Sequence, residues 1–351
     1  MIFTSDNWAG AAPEISQALS DNAQGMVSAY GTSDLDDRVR QNFNEIFERE
    51  VSVFFVGTGT VANSLALASM NKPGGILMCH REAHIIEDEC GAPEFFTSGG
   101  RLLAIDGDDG KMDIDVLAGE MKRVHEIFVH HGQPMGISMT QTTEAGTIYS
   151  PDETARIADI AHGVDVPLHM DGARFANAMV QLNATPAEMT WKQGVDVLSF
   201  GGTKNGCWCA EALIFFDPKL AEQMPYLQKR AGQLYSKSRF ITAQFEAYFK
   251  NDLWVELATY SNGMADHLRA GIAASNRIRA AWDGQANEVF AIMQAEDAEK
   301  LQQAGAHFYE WPTPHKLASS LSDNEKMYRF VTSFATKKAD IDQLLSTLVD
   351  L

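Results

Sequence analysis

Short apolar runs alternate with amphipathic stretches from about residue 33 to residue 216 of this 351-residue chain. A run of about five apolar residues is typical of a buried strand, and an amphipathic stretch after it predicts a helix that covers the sheet. The helical period is clear over residues 38–48, and VSVFFV at residues 51–56 gives the first convincing strand. Because strands that alternate with helices form mostly parallel sheets, the pattern predicts the α/β class.

The same pattern predicts the other strands and helices. We expect strands at residues 75–79, 101–105, 137–141, 167–170, 196–200 and 212–216, and helices at residues 61–70, 113–123, 151–162 and 175–182. After residue 217 the pattern changes to long helical stretches over 219–251 and 253–275, apolar runs at 289–293 and 327–334, and a closing helix over 338–351. This second part predicts a smaller α+β domain.

The chain is long enough for more than one domain. We expect an N-terminal segment of residues 1–25 that packs with the small domain, a large domain over residues 26–245 and a small C-terminal domain over residues 246–351. Ligands of open parallel sheets bind beyond the carboxyl ends of the strands. The functional residues are therefore expected in the loops that follow the strands of the large domain.

Composition argues against several classes of partner. The chain has 28 basic and 47 acidic side chains, and its net charge of −19 disfavours nucleic acids and anionic membranes. No apolar run approaches the roughly 20 residues of a membrane span, and the start lacks the features of a signal peptide, so a cytoplasmic protein is expected. Four cysteines are too few for a disulfide scaffold, and CWC at residues 207–209 is too tight for a usual zinc pair. No metal site is expected.

Lys204 has the most unusual setting of any charged residue in the chain. It follows the apolar run DVLSF of residues 196–200 and lies in the loop GGTKNG, where glycines let the backbone approach a ligand closely. Burial disfavours an ammonium ion and favours a free amine, which attacks carbonyl carbons to form a Schiff base. An ordinary solvated lysine is the alternative interpretation, since lysines are rarely buried.

A carboxylate and a guanidinium follow the preceding predicted strand in the same way. PLHMDGAR at residues 167–174 places Asp171 and Arg174 at the end of an apolar run. With the amine of Lys204 they supply what pyridoxal phosphate (PLP) requires, namely a Schiff-base partner, an anion for the pyridine nitrogen and a donor for anionic oxygens. The alternatives are a helix N-cap for Asp171 and an exposed surface cation for Arg174.

The loop GTGT at residues 57–60 lies between a strong strand and a helix. Amides at a helix N-terminus bind phosphate, so Gly59 and Thr60 are candidates to hold the phosphate of the coenzyme. GTGTVA also fits the dinucleotide fingerprint of a nicotinamide oxidoreductase, but that fingerprint requires an acidic residue at the end of the next strand, where the chain reads LMCH. A structural turn without a ligand is the third interpretation.

His84, in HREAHIIE at residues 80–87, is a candidate to lie over the coenzyme ring or to act as a base. Its spacing alone favours a surface histidine or one whose hydrogen bonds are satisfied within the protein. His80, His130 and His131 show no ligand spacing.

Together these segments resemble the L-threonine aldolases, which are PLP enzymes of the aspartate-aminotransferase fold (fold type I). The resemblance covers nearly the whole chain and rests on SDN at residues 5–7, AYG at 29–31, GTGTVAN at 57–63, EAHI at 82–85, HMDGAR at 169–174 and SFGGTKNG at 199–206. The last two blocks are highly specific as a pair. The implied fold is a large domain with a mostly parallel sheet and a smaller C-terminal α+β domain.

The resemblance implies roles for residues that would hold the coenzyme. Lys204 would be the Schiff-base lysine, Asp171 would pair with the pyridine nitrogen, and His84 would stack on the ring. Gly59 and Thr60 would bind the phosphate.

The resemblance also implies a place for the substrate. Ser5, Arg174 and Arg329 match the positions that hold the substrate carboxylate and the phenolic oxygen of the coenzyme. Active sites of the family lie at dimer interfaces, usually within tetramers. Tyr30 and Lys229 are therefore expected to reach the site of a neighbouring subunit, with Tyr30 among the substrate-binding residues of this homo-oligomer.

One segment departs from the family pattern. Many members carry a histidine in the loop after the strand predicted at residues 137–141, whereas this chain has TTEAG at 142–146. A catalytic role of that histidine is therefore not expected here. The TQTTE version of this loop resembles a bacterial branch with low-specificity and phenylserine-cleaving members.

The expected reaction is cleavage of L-threonine, L-allo-threonine and related L-β-hydroxy-α-amino acids to glycine and an aldehyde. Lys204, His84 and Asp171 are the expected catalytic residues. The alternatives are a phenylserine-preferring aldolase, a β-eliminating amino-acid lyase on the same scaffold and, from a different class, a non-catalytic PLP-binding protein.

Overall fold

The computed structural model describes residues 1–126 and 129–350. Its strands are β1 Ser52–Val56, β2 Ile76–His80, β3 Arg101–Ile105, β4 Pro134–Thr140, β5 Leu168–Gly172, β6 Val197–Gly201, β7 Glu211–Phe215, β8 Ile278–Ala280, β9 Glu288–Gln294, β10 Tyr309–Glu310 and β11 Glu325–Val331. Its helices are α1 Pro13–Asp21, α2 Asp34–Ile46, α3 Gly59–Ser69, α4 His84–Glu87, α5 Ala92–Phe96, α6 Ile114–His125, α7 Pro151–His162, α8 Phe175–Leu182, α9 Pro186–Met189, α10 Pro218–Ala221, α11 Met224–Arg230, α12 Arg239–Phe249, α13 Leu253–Ala273, α14 Ala295–Gln303, α15 His315–Ala318 and α16 Lys338–Asp350.

The larger sheet has the strand order β1-β7-β6-β5-β4-β2-β3. β7 pairs antiparallel with both β1 and β6, whereas the neighbours from β6 to β3 all pair in parallel. The strands β2, β5, β6 and β7 are buried along their whole length, as the apolar runs predict for strands covered by helices on both faces. The predicted α/β class with a mostly parallel sheet is confirmed.

The register of the central strands fixes the position of the site. Asp171 on β5 lies opposite Ser199 on β6, so the carboxyl ends of the two strands lie side by side. An aromatic cluster holds β6 in place, since the ring of Phe200 lies 5.5 Å from that of Phe43 in a T-shaped arrangement that favours aromatic pairs. The loops that follow β5 and β6 therefore start from rigid points.

The smaller sheet has the order β10-β11-β9-β8 and is antiparallel throughout. Apolar residues of α13, α14 and α16 form a second core with it, including Leu268, Leu301 and Leu344. This confirms the predicted α+β character of the C-terminal part.

Two segments connect the cores. On α13, Leu253 and Ala258 belong to the core of the larger sheet, whereas Leu268 belongs to the second core. Near the N-terminus, Phe3 lies in the second core and Ile15 lies in the first. The predicted domain boundaries stay a prediction.

The prediction of one helical stretch over residues 219–251 is wrong, because α10, α11 and α12 are separate helices. Pro225 lies in the first turn of α11, where proline is tolerated, and Gly232 follows the helix with φ at +71°. The turn that follows carries Gln233, whose Oε1 accepts a hydrogen bond from the N–H of Gly57 at 3.0 Å. None of the helices in the described part of the chain has the length and apolar character needed to cross a membrane.

Candidate active site

Lys204 lies in a short 3-10 helix, Thr203–Asn205, directly after β6. The side-chain amide of the next residue, Asn205, donates hydrogen bonds to the hydroxyl of Tyr248 at 2.7 Å and to the carbonyl oxygen of Trp254 at 2.9 Å. These two hydrogen bonds anchor the loop. The side chain of Lys204 itself is partly buried. Within the described residues its amino group has no hydrogen-bond or ion-pair partner, so it is available to react.

Close approach explains the glycines before Lys204. A Cβ on Gly201 would come within 2.6 Å of the carbonyl oxygen of Ala173, so only glycine fits where the loop after β6 passes the loop after β5. This contact brings Lys204 next to the segment that begins with Asp171.

Asp171 is buried in β5, with only 3% of its surface exposed. Its Oδ2 accepts a hydrogen bond from the amide of Asn63 at 2.8 Å, and its Oδ1 accepts one from the N–H of Ala173 at 3.0 Å. The helix N-cap interpretation of Asp171 is wrong, since α8 begins at Phe175 and its N-cap residue is Arg174. A buried carboxylate at a strand end is suited to pair with a cationic nitrogen.

His169, which lies two residues before Asp171 on β5, forms hydrogen bonds with two serines. His169 is fully buried, and its ring nitrogens form hydrogen bonds with the hydroxyls of Ser138 at 2.8 Å and Ser199 at 2.9 Å. Burial lowers the pKa of His169 to about 4, so the ring is neutral at physiological pH.

His84 begins α4 and is held by two carboxylates. Its Nδ1 lies 2.9 Å from Oε1 of Glu89, and its backbone N–H donates to Oε1 of Glu144 at 2.8 Å. The side chain is 41% exposed, and Nε2 has no hydrogen-bond partner in the described chain. The hydrogen bond with Glu89 raises the pKa of His84 and outweighs the opposing effect of burial.

Glu89 and Glu144 are site residues that the sequence did not reveal. The side chain of Glu89 is 0% exposed, and Oε2 of Glu144 is shielded from solvent without a hydrogen-bond partner in the described chain. Burial raises the pKa of Glu144 to about 7. Glu144 lies in the TTEAG segment, so the departure of that segment from the family pattern was the available signal.

Arg174 is buried in an ion cluster, so the surface-cation interpretation is wrong. Its Nε and one terminal nitrogen bind both carboxylate oxygens of Asp6 at 2.7 and 3.1 Å, and the other terminal nitrogen lies 3.1 Å from Glu288. Burial raises the pKa of Asp6, but Arg174 and Lys204 outweigh this and hold it below its usual range. Ser5 precedes Asp6 and accepts a hydrogen bond from the N–H of Asn7 at 3.2 Å.

Arg329 belongs to the same cluster but is held more loosely. Its guanidinium lies 3.5 Å from Glu288 and 3.4 Å from the carbonyl oxygen of Thr4, and it stacks 3.9 Å above the ring of Trp311. Its Nε is buried and has no hydrogen-bond partner in the described chain. Arg329 is therefore less firmly held than Arg174.

The loop before α3 presents free amides. Thr58 caps the helix by accepting a hydrogen bond from the N–H of Val61, whereas the N–H groups of Gly59 and Thr60 have no partner in the described chain. A Cβ on Gly59 would meet no atom within 4 Å, so open space lies beside these amides. Both features fit a phosphate group.

Tyr30 and Lys229 lie together. The amine of Lys229 is 5.7 Å from the centre of the Tyr30 ring, and Tyr30 is 51% exposed. In the described chain neither contacts Lys204. Their expected role at the site of a neighbouring subunit stays a prediction.

The structure thus brings Lys204, Asp171, His84, Gly59 and Thr60 to one edge of the sheet, with the arginine cluster beside them. An available amine, a buried carboxylate and unpaired helix amides match the aldehyde, the pyridine nitrogen and the phosphate of PLP. The residues present therefore fit this coenzyme.

Comparisons with known proteins identify the family of the chain. The model of the beta-eliminating lyase family matches residues 3–301. The chain is 38% identical to the low specificity L-threonine aldolase of Pseudomonas sp. (strain NCIMB 10558), over 99% of this chain and 96% of the relative. It is 39% identical to the Pseudomonas aeruginosa protein of the same name, over 88% of each.

A solved structure agrees as well. The threonine aldolase of Leishmania major superposes with a TM-score of 0.91 at 26% identity, covering 99% of this chain and 98% of that one. The chain belongs to the beta-eliminating lyase family and, within it, to the L-threonine aldolases.

Proposed function

We propose that this chain cleaves L-threonine, L-allo-threonine and related L-β-hydroxy-α-amino acids to glycine and an aldehyde, with PLP as coenzyme. The observation that carries the proposal is the available amine of Lys204 beside the buried carboxylate of Asp171. The two Pseudomonas relatives, named low specificity L-threonine aldolase, support this reaction class.

Each part of the coenzyme has a residue that would hold it. Lys204 would bond to the aldehyde carbon, Asp171 would accept the proton of the pyridine nitrogen as a hydrogen bond, and the amides of Gly59 and Thr60 would bind the phosphate. When bound, PLP withdraws electrons from the α-carbon of an amino acid and so weakens the bonds to that carbon. His84 would lie over the ring.

The arginine cluster would orient the substrate. Asp6 and Glu288 hold Arg174 at fixed distances, which suits contact with the phenolic oxygen of the coenzyme. Arg329, whose guanidinium has only long contacts with Glu288 and Thr4, would bind the substrate carboxylate, with Ser5 nearby. Fixing the carboxylate decides which bond of the α-carbon stands perpendicular to the coenzyme ring, and that bond is the one that breaks.

His84 is the group that would take the proton of the β-hydroxyl, directly or through a water molecule. Its Nδ1 is engaged by Glu89, which leaves Nε2 to accept a proton. The variant His84→Phe is expected to bind coenzyme and to lose most of its turnover. Undiminished turnover in a His84→Phe protein that retains its coenzyme would show that another group is the base.

We also propose that the protein is a cytoplasmic homo-oligomer, a dimer or tetramer, with its active sites at the dimer interface. The exposed large apolar side chains include Met26, Val27, Tyr30, Trp208, Tyr226 and Tyr235. The segment around Tyr30 lies against the turn after α11, because Tyr30 donates its N–H to Ser236 at 3.2 Å. A second subunit packed on these side chains would bury them and bring Tyr30 and Lys229 to the neighbouring site.

The proposed reaction is tested by its products. Purified protein with PLP is incubated separately with threonine, allo-threonine and phenylserine, and glycine, ammonia and the 2-oxo acids 2-oxobutanoate and phenylpyruvate are measured. We expect glycine and the matching aldehyde from wild type and none from Lys204→Ala. Ammonia with 2-oxobutanoate from threonine or with phenylpyruvate from phenylserine, and without glycine, would instead identify a β-eliminating lyase, the alternative that the family name supports.

A further inference from the structure

A continuous chain of hydrogen bonds joins His84 to Asp171 through two buried residues. Nδ1 of His84 lies 2.9 Å from Oε1 of Glu89, and the same oxygen accepts a hydrogen bond from Nδ2 of Asn63 at 2.9 Å. Nδ2 of Asn63 also donates to Oδ2 of Asp171 at 2.8 Å. Asn63 comes from α3 and Asp171 from β5, while Glu89 follows α4, so three separate segments meet here.

The chemistry of the side chains fixes the direction of each hydrogen bond. Both amide hydrogens of Asn63 point at carboxylates, and the opposite orientation of the amide would place its oxygen against two anions. Oε1 of Glu89 accepts the hydrogen bond of Asn63 and also faces Nδ1 of His84, so an ionised Glu89 requires the proton on Nδ1. Burial raises the pKa of Glu89, whereas the hydrogen bonds with His84 and Asn63 lower it. Oε2 of Glu89 is buried without a partner in the described chain, so a proton there would find no acceptor. Glu89 is thus an acceptor, and Nδ1 of His84 is the donor.

We propose that Glu89, held by Asn63, is a positioning residue that keeps the proton of His84 on Nδ1 and leaves the lone pair of Nε2 facing the site. The same pair of residues ties the imidazole to the carboxylate of Asp171. The proposal rests on the proposed function only for the roles of His84 and Asp171. A carboxylate bound to one imidazole nitrogen sets the tautomer and the orientation of the ring.

The charges around His84 predict the effect of removing Glu89. Glu89 has the largest influence and raises the pKa of His84, and Asp171 also raises it, whereas burial and Lys204 lower it. Glu144 binds the backbone N–H of His84 and is the remaining carboxylate in contact with this residue. Replacing Glu89 by the neutral glutamine therefore lowers the pKa of His84.

The tautomer is measured on the wild-type holoenzyme. Protein labelled with ¹⁵N-histidine is studied by solid-state NMR without substrate, and the His84 signals are assigned by their loss in His84→Phe. Above the pKa of the ring we expect a protonated Nδ1 and an unprotonated Nε2. A protonated Nε2 would overturn the proposal even if no variant folds.

The charge effect is measured on Glu89→Gln. We expect its His84 signals to titrate at a pH lower by about 1 unit or more, the shift typical of losing an opposite charge at hydrogen-bond distance. The matched control is Glu94→Gln, which removes the charge of a nearby carboxylate outside the chain of hydrogen bonds, and it should titrate like wild type. A folded Glu89→Gln protein with the wild-type titration would refute the proposal.

These outcomes are separate from the fate of the proposed function, because neither measurement involves turnover. A protein with the expected tautomer that releases no glycine would refute only the aldolase reaction. A protein that releases glycine with its imidazole proton on Nε2 would refute only the role of Glu89.

Discussion

Asp6 holds Arg174 by two hydrogen bonds in the interior of the protein, and almost none of its surface is exposed. Removing one member of a buried ion pair leaves the other charge without its partner, which costs about 3–5 kcal/mol. Asp6→Ala is therefore expected to lower the free energy of unfolding by about 3 kcal/mol in urea titrations. The matched control Asp37→Ala removes an exposed pair with Arg40 and should cost less than about 1 kcal/mol.

The effect of Asp6 also depends on pH. Its pKa in the folded protein lies below the ordinary value of 3.8, so its contribution to stability is present above that pH and is lost as the pH falls through the folded pKa. The difference between wild type and Asp6→Ala should shrink in acid. A difference that stayed constant down to the lowest pH at which the protein folds would contradict the ion-pair account.

The contribution of Glu144 to stability depends on pH with the opposite sign. Burial raises its pKa from 4.5 to about 7, so the folded protein binds this proton more tightly than the unfolded chain and loses stability as the pH rises between these values. The variant Glu144→Gln removes this dependence of stability on pH. Relative to wild type, its free energy of unfolding should rise by up to about 3 kcal/mol across this window.

Chemical denaturation at several pH values measures the effect of Glu144. Parallel curves for Glu144→Gln and wild type would show that the carboxyl group of Glu144 is not perturbed.

The first turn of α3 offers a test of the phosphate position. Gly59→Ala adds a Cβ that would meet no protein atom within 4 Å, so the fold tolerates it, but the methyl group occupies the space beside the free amides. We expect unchanged thermal stability and an affinity for PLP about tenfold weaker, which corresponds to about 1.4 kcal/mol. Gly119→Ala on α6 is the control, since its Cβ also meets nothing and it lies outside the site. Equal affinity for PLP in both variants would show that the phosphate does not bind at this loop.

Strands and helices with strong patterns were predictable from the sequence. The strand at residues 101–105 and the helices at 151–162 and 175–182 have the predicted bounds. The turn after α11 was missed, because its residues continue a helical pattern while the φ of Gly232 and the contact of Gln233 with Gly57 depend on the folded chain. Local periodicity does not contain such contacts.

The same distinction applies to the site. Lys204 and Asp171 stand out because each follows a buried strand directly, and the structure places them at adjacent strand ends. Asp6 and Glu89 have no such local signal. Asp6 is 168 residues from its partner Arg174 in the sequence, so its importance becomes visible only when the fold brings the two together.

The proposed assembly is tested by replacing two exposed aromatic residues. Trp208 and Tyr226 are 64% and 65% exposed, and a second subunit would bury them under the proposed arrangement. The double variant Trp208→Glu, Tyr226→Glu is expected to sediment as a monomer and to lose activity, because charges are costly in a buried interface. Val349→Glu on α16, which changes an apolar residue that is 81% exposed, is the control. A fully active oligomer in the double variant would place the interface on another face.

The covalent link at Lys204 is tested most directly by reduction of the holoenzyme with borohydride, followed by digestion and mass spectrometry. The reduced coenzyme is expected on the peptide that contains Lys204, and Lys204→Ala should show neither this mass nor the visible absorbance of the bound coenzyme. A label on a different lysine in wild type, or the same amount of label in Lys204→Ala, would contradict the assignment of this site.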